Sequence, residues 1–133
     1  MHNIALIERL FAAFRADDRD TICRLLSPDV QWVQNAGFPG GATHVGPDAV
    51  IDGAFARLRA DWADWTATVH EVLDAGTAVV VLGEYRGTYR ATGRSAAAAF
   101  AHVYRVHAQQ VHRFEQYTDT SLLVAATVHG RAA

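Results

Sequence analysis

The stretch FAHVYRV, residues 100–106, puts one side chain that can take a proton on an otherwise apolar strand face. Side chains alternate along an extended chain, so Phe100, His102, Tyr104 and Val106 share a face. A neutral imidazole donates from one nitrogen and accepts at the other, so His102 can polarise a carbonyl or take a proton. It can equally sit as a hydrogen-bonded core histidine. By the same alternation Trp32 and Gln34 fall together on one face of DVQWVQN, and a buried amide there needs partners. His44 stands in a Gly- and Pro-rich loop, either as a lid residue over a pocket mouth or as a solvated histidine. Asp119 in QYTDTSLL is a carboxylate at the end of a strand, but Asp or Thr just before SLLVAA is also what a short helix takes as an N-cap.

Other chemistries find no support. No histidine pair has the spacing of a helical metalloprotease, and no Cys/His pattern of a structural zinc site occurs, so no metal and no cofactor are expected. The one cysteine, Cys23, lies in a helical pattern without a neighbouring histidine and reads as a small buried filler.

These residues need a scaffold, and the chain has the means to build one. With 133 residues, half of them apolar, residues 1–133 are expected to form a single domain with one core. Twelve basic and fourteen acidic side chains are dispersed without a basic block, which argues against nucleic acid and anionic membranes as partners. The opening MHNIALIERLFAAFRADD repeats at helical spacing and does not read as a signal peptide. No apolar run approaches the ~18 residues of a membrane span, and a reducing cytoplasm fits the cysteine content.

Ile4, Ile7, Phe11 and Phe14 form a helical stripe behind an Asn3 cap, ending near Asp17-Asp18. A short helix carrying Ile22, Leu25 and Leu26 must stop before Ser27-Pro28, and DVQWVQN follows as a strand. Gly46-Pro47-Asp48 opens a third helix with the stripe Ile51, Phe55, Leu58 and Trp62. From Trp65 the period changes to two. Four strand candidates, WTATVHEVL, AVVVLGEYRGTYR, SAAAAFAHVYRVH and QVHRFEQYT, are joined by short connections, as in an antiparallel meander. Helices followed by strands make an α+β pattern, with helices covering one face of a curved antiparallel sheet.

The motifs FPGGATHVGPDAV, VVVLGEYRGTYRATGRS, FAHVYRV and RFEQYTDTSLL, in this order over about residues 4–126, resemble the ketosteroid-isomerase-related, SnoaL-like branch of the nuclear transport factor 2-like superfamily. The resemblance implies a cone-shaped fold, its curved antiparallel sheet wrapped by three helices of the N-terminal half around an apolar pocket, and commonly a homodimer. It does not imply one reaction, because the same fold hosts isomerases, cyclases, dehydratases, hydrolases and proteins without catalysis. Ketosteroid isomerases use an Asp base with a Tyr and a protonated Asp as oxyanion donors. Those positions hold Gln34, Leu10 and His102 here. Gln34 cannot take a proton from carbon and Leu10 cannot donate, so that mechanism is excluded. SnoaL-like cyclases place a histidine where His102 stands and an Asp acid/base where Gln116 stands, and an amide cannot shuttle that proton. Asp119 matches an acidic position common in the branch.

The register beside the Ala108-Gln109 turn decides which residues join His102. A three-residue loop sets His102 across from Phe114 with Gln116 nearby, and a two-residue loop sets it across from Glu115. The first is expected, because it gathers Phe114 and Gln116 with Phe100, His102 and Tyr104 and sends Arg113 and Glu115 to the other face. The predicted function is binding of a small hydrophobic, oxygen-bearing metabolite, with cofactor-free isomerisation, cyclisation, dehydration or hydrolysis, or else a non-catalytic binding or protein-interaction module. His102 and Asp119 are the catalytic candidates; Trp32, Gln34, His44, Phe100, Tyr104, Phe114 and Gln116 are the expected pocket residues. AVVVLGEYRGTYR is apolar on both faces along its first half, which predicts a homodimer through the outer sheet face. Glu84, of opposite parity to Val81 and Tyr85, is expected to face solvent or that interface.

Overall fold

The computed structural model describes residues 2–129. Two helices, α1 (Asn3–Arg15) and α2 (Arg19–Leu25), lead into strands β1 (Leu26–Val33) and β2 (Thr43–Val45). A continuous helical run then joins α3 (Pro47–Ala49), a π-helical segment (Val50–Phe55) and α4 (Ala56–Asp61). The meander β3 (Trp62–Asp74), β4 (Ala78–Tyr89), β5 (Ser95–His107), β6 (Gln110–Thr118) follows, and α5 (Thr120–Thr127) closes the described chain. The strands form one sheet in the order β2-β1-β6-β5-β4-β3, curved and wrapped by the N-terminal helices in the expected α+β cone. The sheet is mixed rather than wholly antiparallel: β1 runs parallel to β6, with Trp32 opposite Phe114, and the other junctions are antiparallel.

On α1 the most deeply buried residues are Leu6, Ile7, Leu10 and Ala13. Of the predicted stripe Ile7 is fully buried, while Ile4, Phe11 and Phe14 are only partly buried, and for the two phenylalanines the reason is that they border a cavity. The cap is His2, whose Nδ1 accepts from the Ile4 amide at 3.3 Å, and Asn3 is the first helical residue. α2 is capped by Asp18 and ends one residue earlier than its apolar pattern suggests, since Leu26 already belongs to β1. Cys23 is exposed, not a buried filler, because Ile22 and Leu25 take the inward positions of that helix. β2 is a three-residue strand inside the segment that composition reads as loop.

The meander is held by one close approach. A Cβ on Gly83 would lie 2.1 Å from the Thr68 carbonyl oxygen and 2.5 Å from the Phe100 ring. Only glycine admits the neighbouring strand and the covering ring together.

The β5–β6 connection corrects the expected register. The loop has two residues, Ala108 and Gln109, both at positive φ (50° and 60°), with His107 paired to Gln110. Such a turn matches the right-handed twist of the strands. One further residue, His112, is then bulged out, since Val106 pairs with Val111 but Arg105 with Arg113. The bulge restores the parity that a two-residue loop would have lost. His102 therefore stands across from Gln116, not Phe114, and Tyr104 across from Phe114. Phe114 and Gln116 still turn inward, while Glu115 stays on the outer face between Arg105 and Arg113, at 3.0 and 3.3 Å.

Candidate functional site

The concave side of the sheet, α1 and the helical run enclose a cavity of about 720 Å³. Its wall is mainly aromatic: Phe11 and Phe14 of α1, Phe55 of the helical run, Trp62 and Trp65 of β3, Tyr85 of β4, Tyr104 of β5 and Phe114 of β6. The charged lining residues, Arg15, Asp17, Arg59, Asp64 and Arg90, are all exposed and mark where the cavity opens to water.

Six of the nine sequence-predicted residues line this cavity: Trp32, Gln34, His102, Tyr104, Phe114 and Gln116. Three do not. Phe100 is buried behind the wall, its ring stacked on His102 at 4.1 Å and on Tyr85 at 4.4 Å; it supports the site from the position that Gly83 leaves open. His44 is no lid. It sits on β2, and its Nε2 lies 3.1 Å from Gln34 Oε1, so it holds Gln34 from outside the cavity. Asp119 is the N-cap of α5, its Oδ1 accepting from the Ser121 amide at 3.1 Å. It is exposed and outside the lining, because the chain leaves β6 at Thr118 and turns straight into the helix. Glu84 is half-buried and pairs with Arg86 at 2.7 Å.

Within the cavity wall, four side chains form a hydrogen-bonded line whose direction is fixed at one end. The Asn35 backbone amide lies 3.0 Å from Gln116 Oε1. A backbone N–H can only donate, so this contact orients the amide of Gln116. Gln116 Nε2 then donates to the Tyr85 hydroxyl oxygen at 2.8 Å. With its oxygen occupied as acceptor, Tyr85 turns its own hydrogen to His102 Nε2, with which it makes a short contact. With Tyr85 as the donor, His102 carries its proton on Nδ1, which faces the Tyr104 hydroxyl at 3.2 Å; the opposite tautomer would reverse both contacts. The line ends at Tyr104, whose hydroxyl hydrogen has no acceptor among the described residues and which lines the cavity.

Burial keeps every member of this line neutral. It lowers the His102 pKa from 6.5 to about 3 and raises those of Tyr85 and Tyr104 above the ordinary tyrosine range. An apolar surround penalises imidazolium and phenolate alike. The interior is thus built to present hydrogen-bond donors and is poor at removing protons near pH 7.

Gln34 adds a second oriented amide. Its Oε1 accepts from the Ala42 amide at 3.2 Å and faces His44 Nε2, so His44 donates there and Gln34 Nε2 is left with no acceptor among the described residues. Gly53 makes room for this arrangement, since a Cβ there would lie 2.6 Å from His44 Nδ1.

The sequence reading missed Tyr85, the central member of the line, although its parity with Val79 and Val81 on β4 puts it on the cavity face. Asn35 was missed for a different reason: its contribution is a backbone amide, which no side-chain pattern reveals. Among the described residues no cluster of three His, Cys, Asp or Glu is arranged to hold a metal ion. No helix among them is long and apolar enough to cross a membrane.

Comparison with known proteins agrees with this geometry. The family model of a SnoaL-like domain matches residues 7–114. The chain is similar to an NTF2-like protein from Burkholderia thailandensis, 35% identical over 93% of this chain and 95% of that one, with a TM-score of 0.88. It is also similar to an NTF2-like protein of unknown function from Burkholderia pseudomallei, at 31% identity, 95% and 98% coverage and a TM-score of 0.81. A third relative, TerC co-crystallised with polyporic acid, is 26% identical over 93% of this chain and 96% of its own, with a TM-score of 0.80. Among curated proteins no significant match is found.

Proposed function

Because the chain belongs to the SnoaL-like family, we propose that its cavity binds a small, largely apolar, oxygen-bearing metabolite and holds one of its acceptor oxygens against the Tyr104 hydroxyl. The observation that carries this reading is the one-way line from Asn35 to Tyr104, which ends in an unpartnered donor inside an aromatic wall. Gln34 Nε2 offers a second donor for another ligand oxygen. The relative co-crystallised with polyporic acid supports a small-molecule ligand in this fold. Catalysis in such a site would be electrophilic: a carbonyl polarised by Tyr104 through the neutral His102 is activated for cofactor-free isomerisation, cyclisation, dehydration or hydrolysis.

A second reading, a binding module without catalysis, is favoured by the absence of an interior base. Gln34 and Gln116 are amides where relatives carry acids, and His102 is a weak base at a pKa of about 3. Native mass spectrometry of the purified protein against polyketide- and terpene-like ligands, followed by product analysis, separates the two. Turnover supports the enzyme, binding without turnover supports the module, and no binding by any oxygenated apolar ligand contradicts both.

Assembly as a homodimer through the outer sheet face is part of the proposal. Val80 pairs with Val103 and Leu82 with Ala101, which in turn pairs with Tyr117, and Tyr117 is 52% exposed. A light-scattering mass of one chain at micromolar concentration would refute it.

A further inference from the structure

The charge at the cavity mouth runs against that of the whole chain. The formal net charge is −2, yet the lining carries three arginines against two aspartates and no glutamate. The three guanidiniums arrive from separate elements: Arg15 ends α1, Arg59 lies on α4 and Arg90 follows β4. Their partners leave a surplus. Arg59 stands 3.6 Å from Asp17, so one positive and one negative charge offset each other. Arg90 is tethered by its backbone amide to the Asp61 carbonyl at 2.9 Å and by its Nε to the Arg59 carbonyl at 3.3 Å. Both bonds leave its two terminal nitrogens free. Arg15 has no side-chain partner among the described residues. Asp64 has no ion-pair partner among them either, and it also borders a second, shallow depression with Arg86 and Thr88.

Resting on the reading that this cavity binds an apolar, oxygen-bearing molecule, we infer that the ligand is a monoanionic amphipathic acid whose carboxylate sits at the Arg15–Arg90 side of the mouth. Its apolar body lies along the aromatic wall and its uncharged oxygen meets Tyr104. The planar fork of arginine fits a carboxylate through paired N–H donors, and a cleft with apolar walls focuses the field of such groups onto a ligand entering it. A surplus of one charge matches a monoanion, while Asp17 and Asp64 at the same rim disfavour a dianion such as phosphate. The interior has no cation to accept the carboxylate, because His102 is enclosed and neutral; the acid must therefore point outward.

The test uses fenbufen, an aryl ketone with a terminal carboxylate, and its primary amide, each titrated calorimetrically into the full chain. The acid is expected to bind about five- to tenfold more tightly than the amide at low salt, with the advantage shrinking as salt rises. Arg90→Gln and Arg15→Gln should each bring the acid toward the amide and leave the amide unchanged, whereas Arg24→Gln, on α2 away from the mouth, should change neither. Equal binding of acid and amide, or equal loss of both in the arginine variants, overturns the inference while leaving the pocket reading intact. Failure of both ligands to bind overturns the inference; the pocket reading falls only if the wider set of oxygenated apolar ligands also fails to bind.

Discussion

Gln116 stands directly across from His102 on the neighbouring strand, yet its amide nitrogen donates to Tyr85 at 2.8 Å and reaches the imidazole only through that hydroxyl. The site thus depends on a residue two strands away from Gln116, and the first prediction concerns it. Tyr85→Phe leaves His102 Nε2 without a donor and Gln116 Nε2 without an acceptor, both buried. Each orphaned group costs about 1–3 kcal/mol, so urea denaturation should show a loss of roughly 2 kcal/mol or more. A loss within error would mean that the line contributes nothing to the fold.

How far the site was legible follows from which physical signal each residue depends on. His102, Tyr104 and Trp32 were found because alternation along a strand is a strong local constraint. The inward turn of Phe114 and Gln116 was anticipated from the cost of burying Arg113 and Glu115, but the means was not. The structure uses a two-residue turn and a bulge at His112, and both loop lengths remain compatible with the local sequence until packing chooses. Asp119 carried two local meanings, and capping prevailed because α5 starts immediately after β6. His44 became a support rather than a lid because a short strand formed within a Gly-rich segment, which requires β1 as a partner and leaves little trace in composition. Tyr85 needed the three-dimensional neighbourhood of β4, β5 and β6 before its hydroxyl acquired a role.

The second prediction concerns Gly83. An added methyl meets the Thr68 carbonyl oxygen at 2.1 Å, which is backbone and cannot step aside. Gly83→Ala should cost about 3 kcal/mol. Gly76→Ala, at φ +81° but with nothing within 4 Å, should cost only about 1–2 kcal/mol from backbone strain. Comparable melting temperatures for the two variants would contradict the close-approach argument.

His44 and Gly53 are predicted to be coupled. Gly53→Ala displaces the imidazole that holds Gln34, and in a His44→Ala background there is no ring to displace. The double variant should therefore be more stable than the sum of the single effects by about 0.5 kcal/mol or more, measured as a double-mutant cycle in denaturant. Strict additivity would separate the two residues.

The pH dependence follows from His102. Its folded pKa of about 3 lies below the ordinary value of 6.5, so the unfolded chain takes up a proton that the folded chain refuses. The contribution is fully present above pH 6.5, is lost progressively as pH falls and stops changing below about 3. Asp18, Asp52 and Glu115 are lowered in the same sense but act at lower pH; His44 is also lowered by burial and acts in the same window, so the comparison with His102→Gln, which keeps His44, isolates His102. Between pH 6.5 and 5 the native chain should lose about 1.6 kcal/mol more than His102→Gln does, the slope approaching ~1.4 kcal/mol per pH unit only at the lower end. Parallel stability curves would show that His102 takes up protons equally in both states.

The central claim, that a backbone amide dictates the direction of the whole line, is tested by NMR of the chain carrying nitrogen-labelled histidine, with His102→Gln identifying the resonance. The predicted result is a neutral His102 protonated on Nδ1, with Nε2 showing the shift of an acceptor nitrogen, and no titration between pH 8 and about pH 4. A proton on Nε2, or an imidazolium appearing near pH 6.5, would contradict it, because Tyr104 would then no longer be left as the donor that faces the cavity.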